Sequence, residues 1–213
     1  MAARTYEEAD AYVHRWADSY SRLPEVLRWR RHMRVLDWWR LLGAQWPSCD
    51  NIGKHKDRLR RYMLEAKDSH LRAMMTPAEL DAWAKLPDLV TVYRGCYEIN
   101  RDGLSWTLSR AMARKFPTYN RYTRHGETPL LLTGKVERSR MVLKLDREED
   151  EVVAPTVQVV AEKHLPVPAK TTGSYDMEDE MAKAKAKTVA WLKANHPEEY
   201  AQIPQPPKHP WRR

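Results

Sequence analysis

The sequence predicts an α+β protein in which a helical N-terminal half packs against a small, mostly antiparallel β region. Three observations predict it. Residues 5–88 place apolar side chains at helical spacing and carry helix-start signals. From Leu89 the texture changes to short β-branched runs bounded by turn residues. A proline-marked break, "HLPVPAK", then precedes a stretch that is acidic at its start and lysine-rich later, as a helix dipole favours.

Each element follows from its residues. "EVLRWRRHMRVLDWWRLLG" puts Val26, Trp29, Met33 and Leu36 at helical spacing, surrounds them with arginines, and sets Gly43 where a C-cap belongs. It reads as one basic amphipathic helix. "KHKDRLRRYMLEAKDSHLRAMM" continues the helical pattern. "TPAELDAWAKLP" begins another helix, with Thr76 as N-cap, Pro77 in the first helical position and Glu79 closing a capping box. The runs "LVTVYRG", "LSWT", "LLLTGKV", "MVLKL", "DEVVAP" and "VQVVAEK" read as strands, with a short helix, "SRAMARKF", after the second. "SYDMEDEMAKAKAKTVAWLKANHP" reads as a helix and "PQPPKHPWRR" as a flexible basic tail. The expected organisation is therefore a helical region over 1–88 and a β core over 89–165, forming one compact domain together. A C-terminal helix and tail occupy 166–213.

Composition narrows the function. With 42% apolar and 31% charged residues the chain is a folded globular protein, and a net charge of +8 favours acidic partners such as nucleic acid or phosphate groups. Two cysteines are too few for a disulfide framework or a zinc site, and the eight histidines are scattered, so no metal is expected. The N-terminus lacks an apolar signal region, and "PLLLTGKV" is too short to span a bilayer. A cytoplasmic setting is expected, with no membrane contact.

Chemistry concentrates in two places. "DREEDEVV" runs five carboxylates into a strand; in an extended chain Glu149 and Glu151 share one face, while Glu148 and Asp150 share the other. Such a pair is useful where a cationic centre forms beside it. Upstream, Arg94 ends a strand as a forked, always-charged donor, and Gly95 permits close approach of a ligand to the backbone. In "LSWT", Ser105 and Thr107 share a face and Trp106 takes the opposite one, where its indole packs or stacks.

Arg-Gly at a strand end, then Gly-Leu-Ser-Trp-Thr leading into a helix, then Glu-x-Glu at a later strand resembles the Arg-Ser-Glu class of mono-ADP-ribosyltransferases, above all those encoded by bacteriophages. The motifs stand in family order over residues 89–155. The resemblance implies a split β core of that type, NAD as the substrate that donates ADP-ribose, and a side chain of a bacterial host protein, arginine by the Glu-x-Glu pattern, as acceptor. It implies that Glu151 holds the ribose and stabilises the developing oxocarbenium charge, and that Glu149 orients and deprotonates the acceptor. Arg94 would clamp the phosphates, Gly95 would meet the nicotinamide amide, Ser105 would position Glu151 and the ribose, and Thr107 would support that strand, with Trp106 between them. The chain departs from the family in having Ser-Trp-Thr for Ser-Thr-Ser, and "KLDRE" lacks the aromatic that some relatives use for acceptor recognition. The setting implied is the cytoplasm of an infected bacterium or association with the virion. The alternative is a non-enzymatic phage protein of degenerate fold that binds nucleic acid or protein through basic patches, or an NAD glycohydrolase. The tryptophan and arginine stripe at 28–40 could stack on bases, although tryptophans at helical spacing usually form core.

Overall fold

The computed structural model describes residues 4–50, 52–119, 122–124, 126–145, 150–167 and, towards the C-terminus, 186–187, 189–190, 193–195 and 197–202. The chain divides into two compact units, Met1–Ala169 and Lys170–Arg213. The first is α+β.

Its helices are α1 (Tyr6–Trp16), α2 (Arg22–Trp29), α3 (Val35–Gln45), α4 (Ile52–Leu64), α5 (Asp68–Ala73), α6 (Pro77–Ala84) and α7 (Arg110–Lys115). Helix α1 starts on a Thr5 and Glu8 capping box, and α6 on the one anticipated at Thr76 and Glu79. The predicted single helix over the Trp/Arg stretch is two. A turn at residues 30–34 separates α2 from α3, and Met33 pairs there with Arg4 in an isolated bridge. The helical phase therefore breaks: Val26, Trp29 and Met33 are buried, whereas Leu36 is half exposed. Gly43 is not a C-cap. It lies inside α3, where a Cβ would overlap the Met74 backbone, so the glycine permits α3 to sit directly against the end of α5.

All six predicted strands form: β1 (Leu89–Cys96), β2 (Ser105–Thr107), β3 (Leu130–Glu137), β4 (Val142–Lys144), β5 (Glu151–Val153) and β6 (Gln158–His164). They make one sheet in the order β4-β5-β2-β1-β3-β6, and every pairing is antiparallel. Strands β1 and β3 pair along eight residues, from Leu89 opposite Glu137 to Cys96 opposite Leu130. The shorter strands β2, β5 and β4 extend the sheet on the β1 side, where the chemistry-bearing residues gather.

Trp29, Trp38, Trp46, Leu23, Leu41, Leu42, Leu59 and Met63 fill the helical core, and Val90, Val92, Leu132, Val142, Val152 and Val153 fill the sheet. The tryptophans at 29, 38 and 39 are thus core side chains rather than a stacking surface. Trp38 donates its indole N–H to the Val26 carbonyl at 2.8 Å.

Of the C-terminal unit, α8 (Pro197–Gln202) is described, with helical residues also at 186–187, 189–190 and 193–195. Pro197 opens α8, a position where its missing N–H costs nothing, and residues 174–185 of the expected helix lie outside the described residues. The proline-rich tail lies outside the described residues. No helix among the described residues is long and apolar enough to cross a membrane.

Candidate active site

The register of the short strands sets the face on which each side chain stands. Thr107 lies opposite Tyr93 on β1 and opposite Glu151 on β5, while Ser105 lies opposite Val153. Directly paired residues share a face, so Ser105, Thr107 and Glu151 stand on one side of the sheet. Trp106 stands on the other, opposite Val152, and packs towards Gly134 and Val157. Its indole is buried core, although the residue also borders a small hollow of about 50 Å³ that reaches Ser105, Thr107 and Glu151.

A cleft of about 220 Å³ opens beside these residues, lined by Arg94, Gly95, Ser105 and Glu151 from the sheet and by Trp46 and Lys56 from the helical half. Strands β1, β2 and β5 are neighbours, which brings three segments separated by up to 57 positions (151 minus 94) to one place.

Arg94 is held at the cleft by its own strand end. Its Nη1 donates to the Ser105 carbonyl and its Nη2 to the Asn100 carbonyl, the latter at 2.9 Å. Its buried Nε has no oxygen or nitrogen partner among the described residues, and the adjacent Cys96 thiol offers only a weak sulfur acceptor. Burial pushes the guanidinium below its ordinary pKa, opposed by Cys96, Asp102 and Glu151. Gly103 explains how this large group fits: a Cβ there would overlap the guanidinium. Gly103 thus makes room for Arg94.

Gly95 likewise has a reason that the sequence did not disclose. A Cβ would overlap the Ala113 carbonyl of α7 and press on Pro117, so the close approach here is that of a helix to the strand. Gly95 still lines the cleft. Thr107 Oγ1 accepts from the Ser109 N–H at 3.0 Å and Ser109 in turn caps α7, so this threonine ties β2 to the helix that follows.

Glu151 begins β5, and the Trp46 indole Nε1 donates to its Oε1 at 3.1 Å. Trp46 was not among the residues singled out from sequence; it lies 105 positions away, in a short 3₁₀ turn after α3, and nothing local marks it. Glu149 lies outside the described residues. Asp150, the residue before Glu151, has a φ of 44°, outside the extended region. Asp tolerates that conformation, and its carbonyl is anchored by the Leu108 N–H at 3.1 Å.

Helix α4 closes the rim. Lys56 Nζ lies 2.6 Å from Asp102 Oδ1, and Arg60 donates to the Pro155 and Asp102 carbonyls, so the loop before β2 and the end of β5 are clipped to one helix. Two thiols also line the cleft, but burial pushes Cys49 up to about 12 and Cys96 up to about 11. Both are neutral near pH 7, which argues against a thiolate nucleophile. Comparison of the chain with protein-family models, with curated proteins and with solved structures finds no match in any of the three.

Proposed function

We propose that the protein is a mono-ADP-ribosyltransferase that moves ADP-ribose from NAD to a side chain, arginine by the Glu-x-Glu pattern, of a bacterial host protein. The observation that carries this reading is the juxtaposition of Arg94, Ser105 and Glu151 around one cleft, on the neighbouring strands β1, β2 and β5. Those are the residues that the Arg-Ser-Glu motif order assigns to phosphate, ribose and developing cation.

The chemistry suits the groups. The bond between nicotinamide and the ribose breaks with its electron pair leaving on the nicotinamide nitrogen, and the anomeric carbon becomes oxocarbenium-like, as in glycoside hydrolysis. The Glu151 carboxylate faces that carbon and stabilises its charge. An acceptor guanidinium nitrogen attacks and loses a proton, a task that falls to Glu149 or another base at the rim. Arg94, held by two backbone carbonyls with its Nε unused by oxygen or nitrogen, supplies fixed positive charge for the diphosphate. Ligand pockets commonly span about 300–1,000 Å³. At about 220 Å³ the cleft is smaller than that range, so in this reading only part of NAD would be enclosed.

The test is incubation of purified protein with labelled NAD and bacterial lysate, for wild type and Glu151→Gln, scoring free nicotinamide and labelled protein. Wild type should yield both, and the variant should lose both while keeping its melting temperature. Nicotinamide release with no labelled protein would identify a glycohydrolase. Intact NAD with wild type would overturn the reading and favour the binding protein.

A further inference from the structure

The helical half contributes one side chain directly to the carboxylate of the cleft. Trp46 is 1% exposed, and its indole N–H reaches Glu151 Oε1 at 3.1 Å. Other tryptophans spend this donor on backbone carbonyls: Trp38 on Val26 and Trp83 on Arg138. An indole N–H has one hydrogen to give and no acceptor role, so directing it at an ionisable oxygen fixes the carboxylate in one orientation.

The surroundings of Trp46 are built to hold that donor still. Its N–H on the backbone donates to Leu42 at the end of α3, and the Cys49 N–H donates back to its carbonyl at 3.1 Å. The neighbouring Gln45 accepts from Arg22 Nη1 at 2.6 Å and donates to Asp10 Oδ1 at 2.6 Å, which locks α1, α2 and α3 together at this point. Gly43, two positions from Gln45, seats α3 on the Met74 backbone. The residue that follows this junction of helices therefore meets the first residue of β5, a strand of three residues paired on one side to β2 and on the other to β4.

We propose that Trp46 is a positioning residue for Glu151, holding the carboxylate plane against the cleft so that its charge lies where the oxocarbenium centre forms. This inference rests on the transferase reading. It also assigns the helical half a role: through Trp46 it orients a group carried by the sheet. Glu151 needs such help because the residue before it, Asp150, has left extended geometry, so strand regularity does not orient the side chain from that side.

The test replaces Trp46 by β-(3-benzothienyl)alanine through amber suppression, which keeps the ring's shape and exchanges the N–H for sulfur. NAD turnover by nicotinamide release is measured with kcat and KM resolved, beside thermal melting. Expected is a fall in kcat of about 10- to 100-fold, with KM for NAD within threefold and melting unchanged, as a modest misplacement of a reacting group produces. A kcat within twofold of wild type overturns the inference alone. A lowered melting temperature with kcat and KM altered together also overturns it, because Trp46 would then be packing only. Wild type that leaves NAD intact overturns both the inference and the transferase reading.

Discussion

Glu79 on α6 and Lys144 on β4 form an ion pair at 2.8 Å, with side chains only 4% and 3% exposed. The carboxylate is fully employed: Oε2 also accepts from the Thr76 N–H at 2.7 Å, and Oε1 from the Leu145 N–H at 3.1 Å. One residue thus completes a capping box, neutralises a buried ammonium and ties a helix to the strand paired with β5. Lys144 lies opposite Glu151 in the register, and its Nζ is engaged by Glu79 and the Met74 carbonyl.

The two partners should respond unequally to removal. Glu79→Leu leaves Lys144 Nζ with only the Met74 carbonyl and two backbone N–H groups without their acceptor, and should cost about 3–5 kcal/mol in urea unfolding. Lys144→Met leaves Glu79 with its two backbone donors and should cost less. Equal losses would show that the capping bonds contribute nothing beyond the pair.

Acid should weaken this contact in a defined direction. Burial alone raises the Glu79 carboxyl, but hydrogen bonds from Lys144, Thr76 and Leu145, with the Lys144 charge, outweigh it and hold the carboxyl below its ordinary value of 4.5. A depressed folded pKa gives stability that is complete above the unfolded value and is lost as pH falls through the folded one. The stability gap between wild type and Glu79→Gln should therefore be constant above about pH 5 and narrow below about 4.5. Unfolding curves across pH 3–7 check this, and a gap that widens on acidification would contradict it.

Gly95 and Gly103, which both line the cleft, should separate stability from binding. At Gly95 an added methyl meets helix backbone that cannot move aside, so Gly95→Ala should destabilise by about 3 kcal/mol. At Gly103 it meets the Arg94 guanidinium, the far end of a flexible side chain. Gly103→Ala should cost about 1 kcal/mol or less in stability and raise KM for NAD about tenfold by displacing Arg94. Chemical denaturation and steady-state nicotinamide release measure the two effects.

Arg94→Lys should keep the charge yet lose the fork. A lysine cannot bond the Ser105 and Asn100 carbonyls in parallel while facing the cleft. The expected result is a KM for NAD raised about tenfold or more with kcat changed far less, because in the proposed reaction Arg94 serves the diphosphate rather than the reacting carbon. A fall in kcat at unchanged KM would move Arg94 to a different role.

Much of the fold was legible because its signals are local. The β-branched runs at 89–96, 130–137 and 158–164 have strand texture within a few residues, and Thr76, Pro77 and Glu79 specify a helix start by themselves. The single helix expected across residues 25–43 failed because apolar spacing continues through the turn at 30–34; the phase change becomes visible only once Leu36 is seen exposed and Gly43 seated on Met74.

The site divides in the same way. Residue type and alternation alone put Ser105 and Thr107 on one face and ran the acidic cluster into a strand, since period-two geometry is a property of the extended chain, whereas the strand expected to end at Arg94 continues through Cys96. Only the tertiary structure decided that β2 lies between β1 and β5, that Gly95 and Gly103 yield space to Ala113 and Arg94, that Asp150 takes a left-handed φ, and that Trp46 from 105 positions away bonds the Glu151 carboxylate. Those outcomes depend on which surfaces meet when helices close on a sheet. That meeting is governed by shape and burial over the whole chain, and no short window of sequence encodes it.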